Sequence, residues 1–321
     1  MQIQHVTILG LTYTTAAIGL LMRGLFQGKG RVIGHAPQIE LLKEALERDI
    51  LDQAPKNWRE SIVETDLLII DWPLADLENL YREIGFRLQP HTLVLDFSRL
   101  KGPVYHLAQT HLKTSKFIGV ASLLATDQLM MGASSLAAAT PDIFKNSHFC
   151  LVAHPTTSQE TLDQAIAFGR LLGAEPMFSD PLEYDGLAQI LELLPILTAS
   201  ALFRTVANSE GWQDMSRYAG LTFATATQAA SLSSDAIWMV QAQKSGLLPM
   251  LDSLIAQLQT IRQQVAQKDA AALQTHLQQV EHIRSQWLAQ RLVPNTGEPD
   301  LLDEVEDRNF LRQLFTFKRR S

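Results

Sequence analysis

From residue 3 to about residue 180 the chain alternates seven apolar, strand-like runs with amphipathic stretches, and that alternation restricts it to few architectures. The runs are Ile3 to Leu9, Arg31 to Gly34, Asp66 to Asp71, Thr92 to Phe97, Phe117 to Ala121, His148 to Ala153 and Glu175 to Phe178. Strands separated by helices predict an α/β fold with a mostly parallel sheet and helices on both faces. The runs are continuous rather than alternating in polarity, as strands covered on both sides should be. A helix from about Thr14 to Gln27 follows the first strand, and Gly28-Lys29-Gly30 ends it.

Beyond Pro181 the strand-like runs stop and a 3.6-residue periodicity takes over. Leu187 to Asn208 is apolar enough for a buried helix. Leu247, Leu248, Leu251, Leu254, Ile255, Leu258, Ile261 and Val265 mark one face of a second, and Leu273, Leu277, Val280, Ile283 and Trp287 one face of a third, about Ala270 to Gln290. Such stripes are expected first as intramolecular core, with a dimer-forming face as the alternative. The expected organisation is therefore a domain over residues 1–181, a helical domain over 182–292, and a linker and tail over 293–321. The tail opens on Pro294-Asn295-Thr296-Gly297-Glu298-Pro299, passes through an acidic run and ends Lys318-Arg319-Arg320.

Charge narrows the partners. With 34 acidic against 27 basic side chains and a formal charge of -7, a broad electrostatic footprint for nucleic acid is not expected. No apolar run reads as long enough for a membrane span and no secretory signal opens the chain, so a cytoplasmic protein is expected. The single cysteine, Cys150, excludes an intramolecular disulfide and reads as a small core hydrophobe inside a strand. His148 and His154 have no metal-ligand spacing to a second group, and no metal site is expected.

The first strand runs Val6-Thr7-Ile8-Leu9-Gly10 into Leu11-Thr12-Tyr13-Thr14-Thr15, the start of a dinucleotide-binding turn. Of the G-x-G-x-x-G pattern only Gly10 is present. The second glycine normally admits a pyrophosphate and the third lets helix and strand pack closely, and Thr12 and Thr15 stand in those places. Thr12, Thr14 and Thr15 at a helix start can cap it or hold an anion. The second strand should end in an acid for ribose hydroxyls, and here Gly34-His35-Ala36-Pro37 offers alanine, with His35 read as a strand-end side chain.

The segment Leu95-Asp96-Phe97-Ser98-Arg99-Leu100-Lys101, taken with that opening and the helical second half, resembles the prephenate and arogenate dehydrogenase family over about residues 3 to 290. Asp96, Ser98 and Lys101 echo the family's T-D-V-x-S-V-K, and Asp71-Trp72-Pro73 echoes its Ala-Val-Pro. Asp142-Ile143-Phe144, Glu183-Tyr184-Asp185, Leu193-Leu194-Pro195, Ala219-Gly220-Leu221-Thr222-Phe223 and Ser234-Asp235-Ala236-Ile237-Trp238 follow in order. The resemblance implies a Rossmann-like N-terminal domain, a C-terminal helical dimerisation domain and a homodimer. It implies oxidation of a ring hydroxyl by NAD or NADP with loss of carbon dioxide, in tyrosine biosynthesis. Carried over by position, the cofactor-binding residues are Gly10, Thr12, Thr15, Pro73, Ser98 and Lys101.

The family's catalytic side chains do not carry over. Its G-H-P-M-A-G-S-E segment supplies a histidine where this chain has Ala121, its S-H-L-P-H motif has histidines at Leu193 and Ile196, and its F-R-D-T-T-R segment has arginines at Ala224 and Gln228. Loss of a single acid-base group costs roughly 10²- to 10⁴-fold in rate. The sequence therefore leads to a family member with no assigned catalytic residue, its family reaction lost or strongly reduced and its scaffold used for ligand or protein binding. The alternative is an active NAD(P)-dependent oxidoreductase with an altered substrate.

Overall fold

The computed structural model describes residues 3–112, 116–131, 135–231, 235–242 and 246–292. Ser234 and the 293–321 linker and tail lie outside the described residues. The chain divides into two compact units, one comprising the residues up to Trp72, Asp76–Pro181 and those from Arg284, the other Pro73–Ala75 and Leu182–Ile283.

The first unit carries β1 (His5–Leu9), β2 (Arg31–His35), β3 (Leu67–Ile70), β4 (Leu93–Asp96), β5 (Lys116–Leu123), β6 (His148–Val152) and β7 (Glu175–Ser179). They form one seven-stranded sheet in the order β2-β1-β3-β4-β5-β6-β7. The pairs from β2 to β5 are parallel, β6 runs antiparallel to β5, and β7 is parallel to β6. Every residue of β3 and β4 is buried, which requires cover on both faces and explains their unbroken apolar sequences. Cys150 is buried in β6 beside Ala121 of β5.

Helix α1 (Tyr13–Phe26) follows β1, then come α2 (Ile39–Glu47), the single turn α3 (Trp58–Ser61), α4 (Leu77–Gly85), α5 (Gly102–His111), α6 (Thr126–Met131) and α7 (Gln159–Leu171). α1 buries Ala16, Ala17, Ile18 and Met22 on β1 and β2, while α7 lies across β4 to β7. The end of α1 falls one residue before the expected glycine turn. Gln27 itself takes the left-handed conformation (φ 47°) and its N–H returns to the Arg23 carbonyl.

In the second unit α8 (Pro181–Ala188) continues through a π-turn over Gln189–Leu193 into α9 (Leu194–Ala207). Pro195 has no N–H to return to the carbonyl of Leu191, and the wide turn falls where that bond is lost. Contrary to the expectation from sequence, this continuous helix, Pro181–Ala207, is long and apolar enough by length and composition to cross a membrane, with 27 residues and an 18-residue stretch of mean hydropathy 1.6. In the linear sequence Glu183, Asp185, Glu192 and Pro195 interrupt the apolar run, which hides the length of the helix. Its inner face is packed within the unit, where Leu193, Ile196 and Ala199 are buried and Gln189 Nε2 donates to the Met239 carbonyl.

α10 (Trp212–Met215), α11 (Leu221–Thr227), α12 (Ala236–Ala242), α13 (Leu247–Ala266) and α14 (Ala270–Leu292) complete the chain. The expected helices over 247–265 and 270–290 are present, but their stripes are intramolecular core only in part: Leu247 is buried and Leu251, Leu254, Ile261 and Leu273 are half-buried. Leu248, Ile255, Leu258 and Val265 of α13, and Leu277, Val280, Ile283 and Trp287 of α14, are all exposed in the single chain. Periodicity shows that a helix has an apolar face and says nothing about which molecule covers it.

Candidate functional site: the crevice at the ends of β1 and β3

β2 and β3 lie on opposite sides of β1, so the strand order reverses there and opens a crevice at the carboxyl ends of β1 and β3. Gly10 stands at its floor with φ +97°, its N–H bonded to the His35 carbonyl at 2.8 Å. A Cβ on Gly10 would lie 1.8 Å from the carbonyl oxygen of Asp71. The glycine is therefore required by the close approach of the two strand ends.

Thr12 and Thr15 close the turn that follows. Thr12 is the N-cap of α1 in extended backbone, and the two threonines form a reciprocal capping box. Thr15 Oγ1 accepts the Thr12 N–H at 2.9 Å and donates to the Gly10 carbonyl at 2.9 Å. Thr12 Oγ1 donates to Asp71 Oδ2 at 2.8 Å. The threonines thus cap the helix, the first of the two roles their position allowed.

Asp71 is half-buried with a desolvated carboxyl group, and its pKa is raised to about 6, chiefly by burial. The Thr12 hydrogen bond opposes that rise, the Asp96 charge adds to it, and Arg99 and Lys101 oppose it. Beside it, at the end of β2, His35 is stacked between Trp58 (5.1 Å) and Trp72 (5.8 Å). Desolvation and then the Arg59 charge lower its pKa, which favours a neutral imidazole within the stack. Ala36, where the resemblance looks for a ribose-binding acid, is buried.

Ser98 and Lys101 occupy the loop after β4. Lys101 is fully buried, and its Nζ donates to the carbonyls of Asp96 (2.9 Å), Ser98 (2.6 Å) and Val120 (2.8 Å), tying β4, the loop and β5 together. Gly119 makes room for its stem, since a Cβ there would lie 2.9 Å from Lys101 Cδ. Asp96, with its pKa raised by burial, accepts from Tyr81 Oη at 2.6 Å and from the Ser98 N–H at 2.8 Å. Ser98 is itself buried. Pro73 falls in the second unit and is not grouped with these residues.

A pyrophosphate at this turn needs bare backbone N–H groups, a small residue at the second position and no competing anion. The residues present do not fit that group. Thr12 fills the second position, and an acid is hydrogen-bonded to the cap of α1. Trp58 is not marked by any sequence signal, and Asp71 and Trp72 enter from the sequence only as the echo of Ala-Val-Pro, with no role assigned. The only available signal of a role for Asp71 was an acid closing an apolar strand, and its adjacency to Thr12 follows from the β1–β3 pairing. Among the described residues no group of three or more His, Cys, Asp or Glu side chains could hold a metal ion.

Two family models match consecutive parts of the chain. The prephenate dehydrogenase nucleotide-binding domain matches residues 23–177 and the prephenate dehydrogenase dimerization domain residues 180–279. The chain belongs to the prephenate dehydrogenase family. Similar solved structures include prephenate dehydrogenase from A. aeolicus in complex with hydroxyphenyl propionate and NAD+ (TM-score 0.70, 19% identity, 89% of this chain and 99% of that chain). Synechocystis arogenate dehydrogenase is also similar (TM-score 0.61, 19% identity, 88% and 99%). At these identities the likeness is one of fold. No curated protein matches the chain in sequence.

Within the prephenate dehydrogenase frame, the places the resemblance gives to two histidines hold Leu193 and Ile196, both buried in the second unit. Ala121 lies in β5, Ala224 in α11, and Gln228 just after α11. None of these five side chains is a proton acceptor or an anion-binding cation.

Two stability predictions follow from the geometry. Lys101→Met keeps the stem but strands three carbonyls and removes the positive charge facing the Asp96 carboxyl, and should cost about 3 to 5 kcal/mol in urea unfolding. A cost under about 1 kcal/mol would show that the ammonium is not a staple. For Asp71 the folded pKa lies above the unfolded value, so the folded state holds the proton more tightly and loses stability as pH rises from about 4 to about 6. Asp71→Asn should therefore exceed the wild type in stability by about 2 to 3 kcal/mol at pH 8, with the gap shrinking towards pH 4. Unfolding midpoints of both proteins across that range measure it.

Proposed function

We propose that this chain is a cytoplasmic homodimer of the prephenate dehydrogenase family in which oxidative decarboxylation is lost or strongly reduced and the scaffold serves ligand or protein binding. The observation that carries this reading is the packing of Leu193 and Ile196. The two places expected to hold histidines are buried and apolar, so no proton acceptor stands there. The family reaction needs a group to accept the hydroxyl proton as hydride leaves, and cations to hold substrate carboxylates. Ala121, Ala224 and Gln228 supply neither.

The alternative, an active oxidoreductase with an altered substrate, rested on the retained Asp96, Ser98 and Lys101. The Lys101 ammonium already has three carbonyl acceptors and the Asp96 carboxyl holds Tyr81 and the Ser98 N–H, so Asp96 and Lys101 give that alternative no particular support.

Dimerisation is supported by the exposed stripe Leu248, Ile255, Leu258 and Val265, spaced so as to lie along one side of α13, within the part of the chain matching the dimerization domain. A stable dimer buries roughly 1,200 to 2,000 Å² or more, and helical apolar faces of this length suit such an area.

Purified protein given prephenate or arogenate with NAD+ or NADP+ should produce no reduced nicotinamide above background. Turnover at rates ordinary for enzymes, roughly 1 to 10³ per second, would overturn the reading. Light scattering should give a dimer, and Ile255→Asp combined with Leu258→Asp should give a folded monomer. A wild-type monomer would remove dimerisation from the proposal.

A further inference from the structure

We infer that Asp71 is the residue that shuts the dinucleotide out of this chain's crevice, its carboxylate standing at the capped start of α1 where the family's nucleotide-binding turn would receive a pyrophosphate. The inference deepens the functional reading above, extending it from lost catalysis to lost cofactor binding, and rests on that reading for the former.

Two observations at the start of α1 converge, and a third concerns the end of β2. The Thr12 hydroxyl at the second position of the turn is spent on Asp71 Oδ2. The N–H of the cap residue Thr12 is taken from within by Thr15 Oγ1, which also donates to the Gly10 carbonyl. At the end of β2, where an acid would hold ribose hydroxyls, Trp58, His35 and Trp72 form a three-ring stack. The stack makes the adenosine side aromatic and acid-free, yet flat rings tolerate an adenine, which stacks on such surfaces. The carboxylate has no such compatibility. It repels a doubly charged pyrophosphate at short range in a desolvated place, and it engages the cap of the helix whose dipole would otherwise favour that anion.

The groups facing Asp71 are Thr12 at the start of α1, Asp96 at the end of β4, and Arg99 and Lys101 in the loop that follows. Lys101 is held by three carbonyls, and Asp96 adds to the negative field. His35 is the other titratable side chain at the crevice, and burial and then the Arg59 charge lower its pKa, which favours the neutral imidazole. A pyrophosphate entering here would therefore meet Asp71 ionised at neutral pH and protonated near pH 5, which makes residual binding pH-dependent with a sign set by this one residue.

The test is calorimetric titration of NAD+ into the full chain, wild type, Asp71→Asn and Asp71→Ala, at pH 5.5 and pH 8. Asn keeps a hydrogen-bond acceptor for Thr12 and removes the charge, while Ala restores the first residue of the Ala-Val-Pro echoed here. Thermal melts confirm that each variant is folded. The expected result is weak or undetectable binding by the wild type at pH 8, at least tenfold tighter binding by both variants, and a gain for the wild type at pH 5.5 that Asp71→Asn does not show. Wild type and variants alike failing to bind would overturn the role of Asp71 while leaving the loss of cofactor binding intact. Tight wild-type binding unchanged in the variants would overturn both. Measurable wild-type binding that still tightens tenfold in the variants would keep Asp71 as the opposing charge and overturn the lost-cofactor reading.

Discussion

The first unit depends on how closely β1 and β3 finish beside each other. With Leu9 paired to Ile70, the next residues, Gly10 and Asp71, meet backbone to backbone, and only a residue without a Cβ fits at the first of them. This contact sets the direction in which the chain leaves β1, and so where α1 starts and where its N-terminal N–H groups point. The three glycines of a dinucleotide turn are usually considered together, but here they separate by cause. The first answers to the sheet and is retained. The second answers to a ligand and can be exchanged for Thr12 without strain, because its backbone is extended. The third answers to helix packing, and Thr15 meets that demand while fully buried by bonding the turn's own carbonyl.

A similar separation holds at the end of β4. Asp96, Ser98 and Lys101 look in sequence like polar residues kept for a ligand. In the structure Lys101 brings a charge into a fully buried position and offsets the desolvation with three carbonyls and a nearby carboxyl, an arrangement that is costly to half-remove. Polar residues at the mouth of an α/β sheet can therefore persist for architecture when a ligand no longer demands them.

The elements of the first unit were legible because burial on both faces writes itself as continuous apolar runs, as Leu67–Ile70 and the three residues of β4 before Asp96 show. Helices α13 and α14 were legible for the same reason, through their period. What the sequence could not carry was the identity of the covering surface. Leu258 and Val280 have the spacing of core residues and are open in the single chain. The crevice was half legible. The missing glycines and the missing ribose acid could be read directly, but Asp71 and Thr12 are 59 residues apart, and their hydrogen bond exists because strand order places β3 beside β1.

An acid in this place has an energetic consequence independent of any ligand. Asp71 is half-buried with its pKa raised, so near neutral pH it destabilises the folded chain relative to a neutral side chain of the same shape. The Thr12 hydrogen bond recovers part of that cost, and the capping box lets the same threonine stabilise α1. A dinucleotide-binding turn usually leaves its N–H groups open, and the bound anion completes them. Here the chain occupies the start of α1 itself, with Thr15 Oγ1 on the Thr12 N–H and the Asp71 carboxylate on the Thr12 hydroxyl, and accepts a modest loss of stability above pH 6. That exchange is intelligible if the crevice no longer has to open to a dinucleotide, and it places the difference between this chain and a cofactor-binding relative in side chains rather than in the backbone they share.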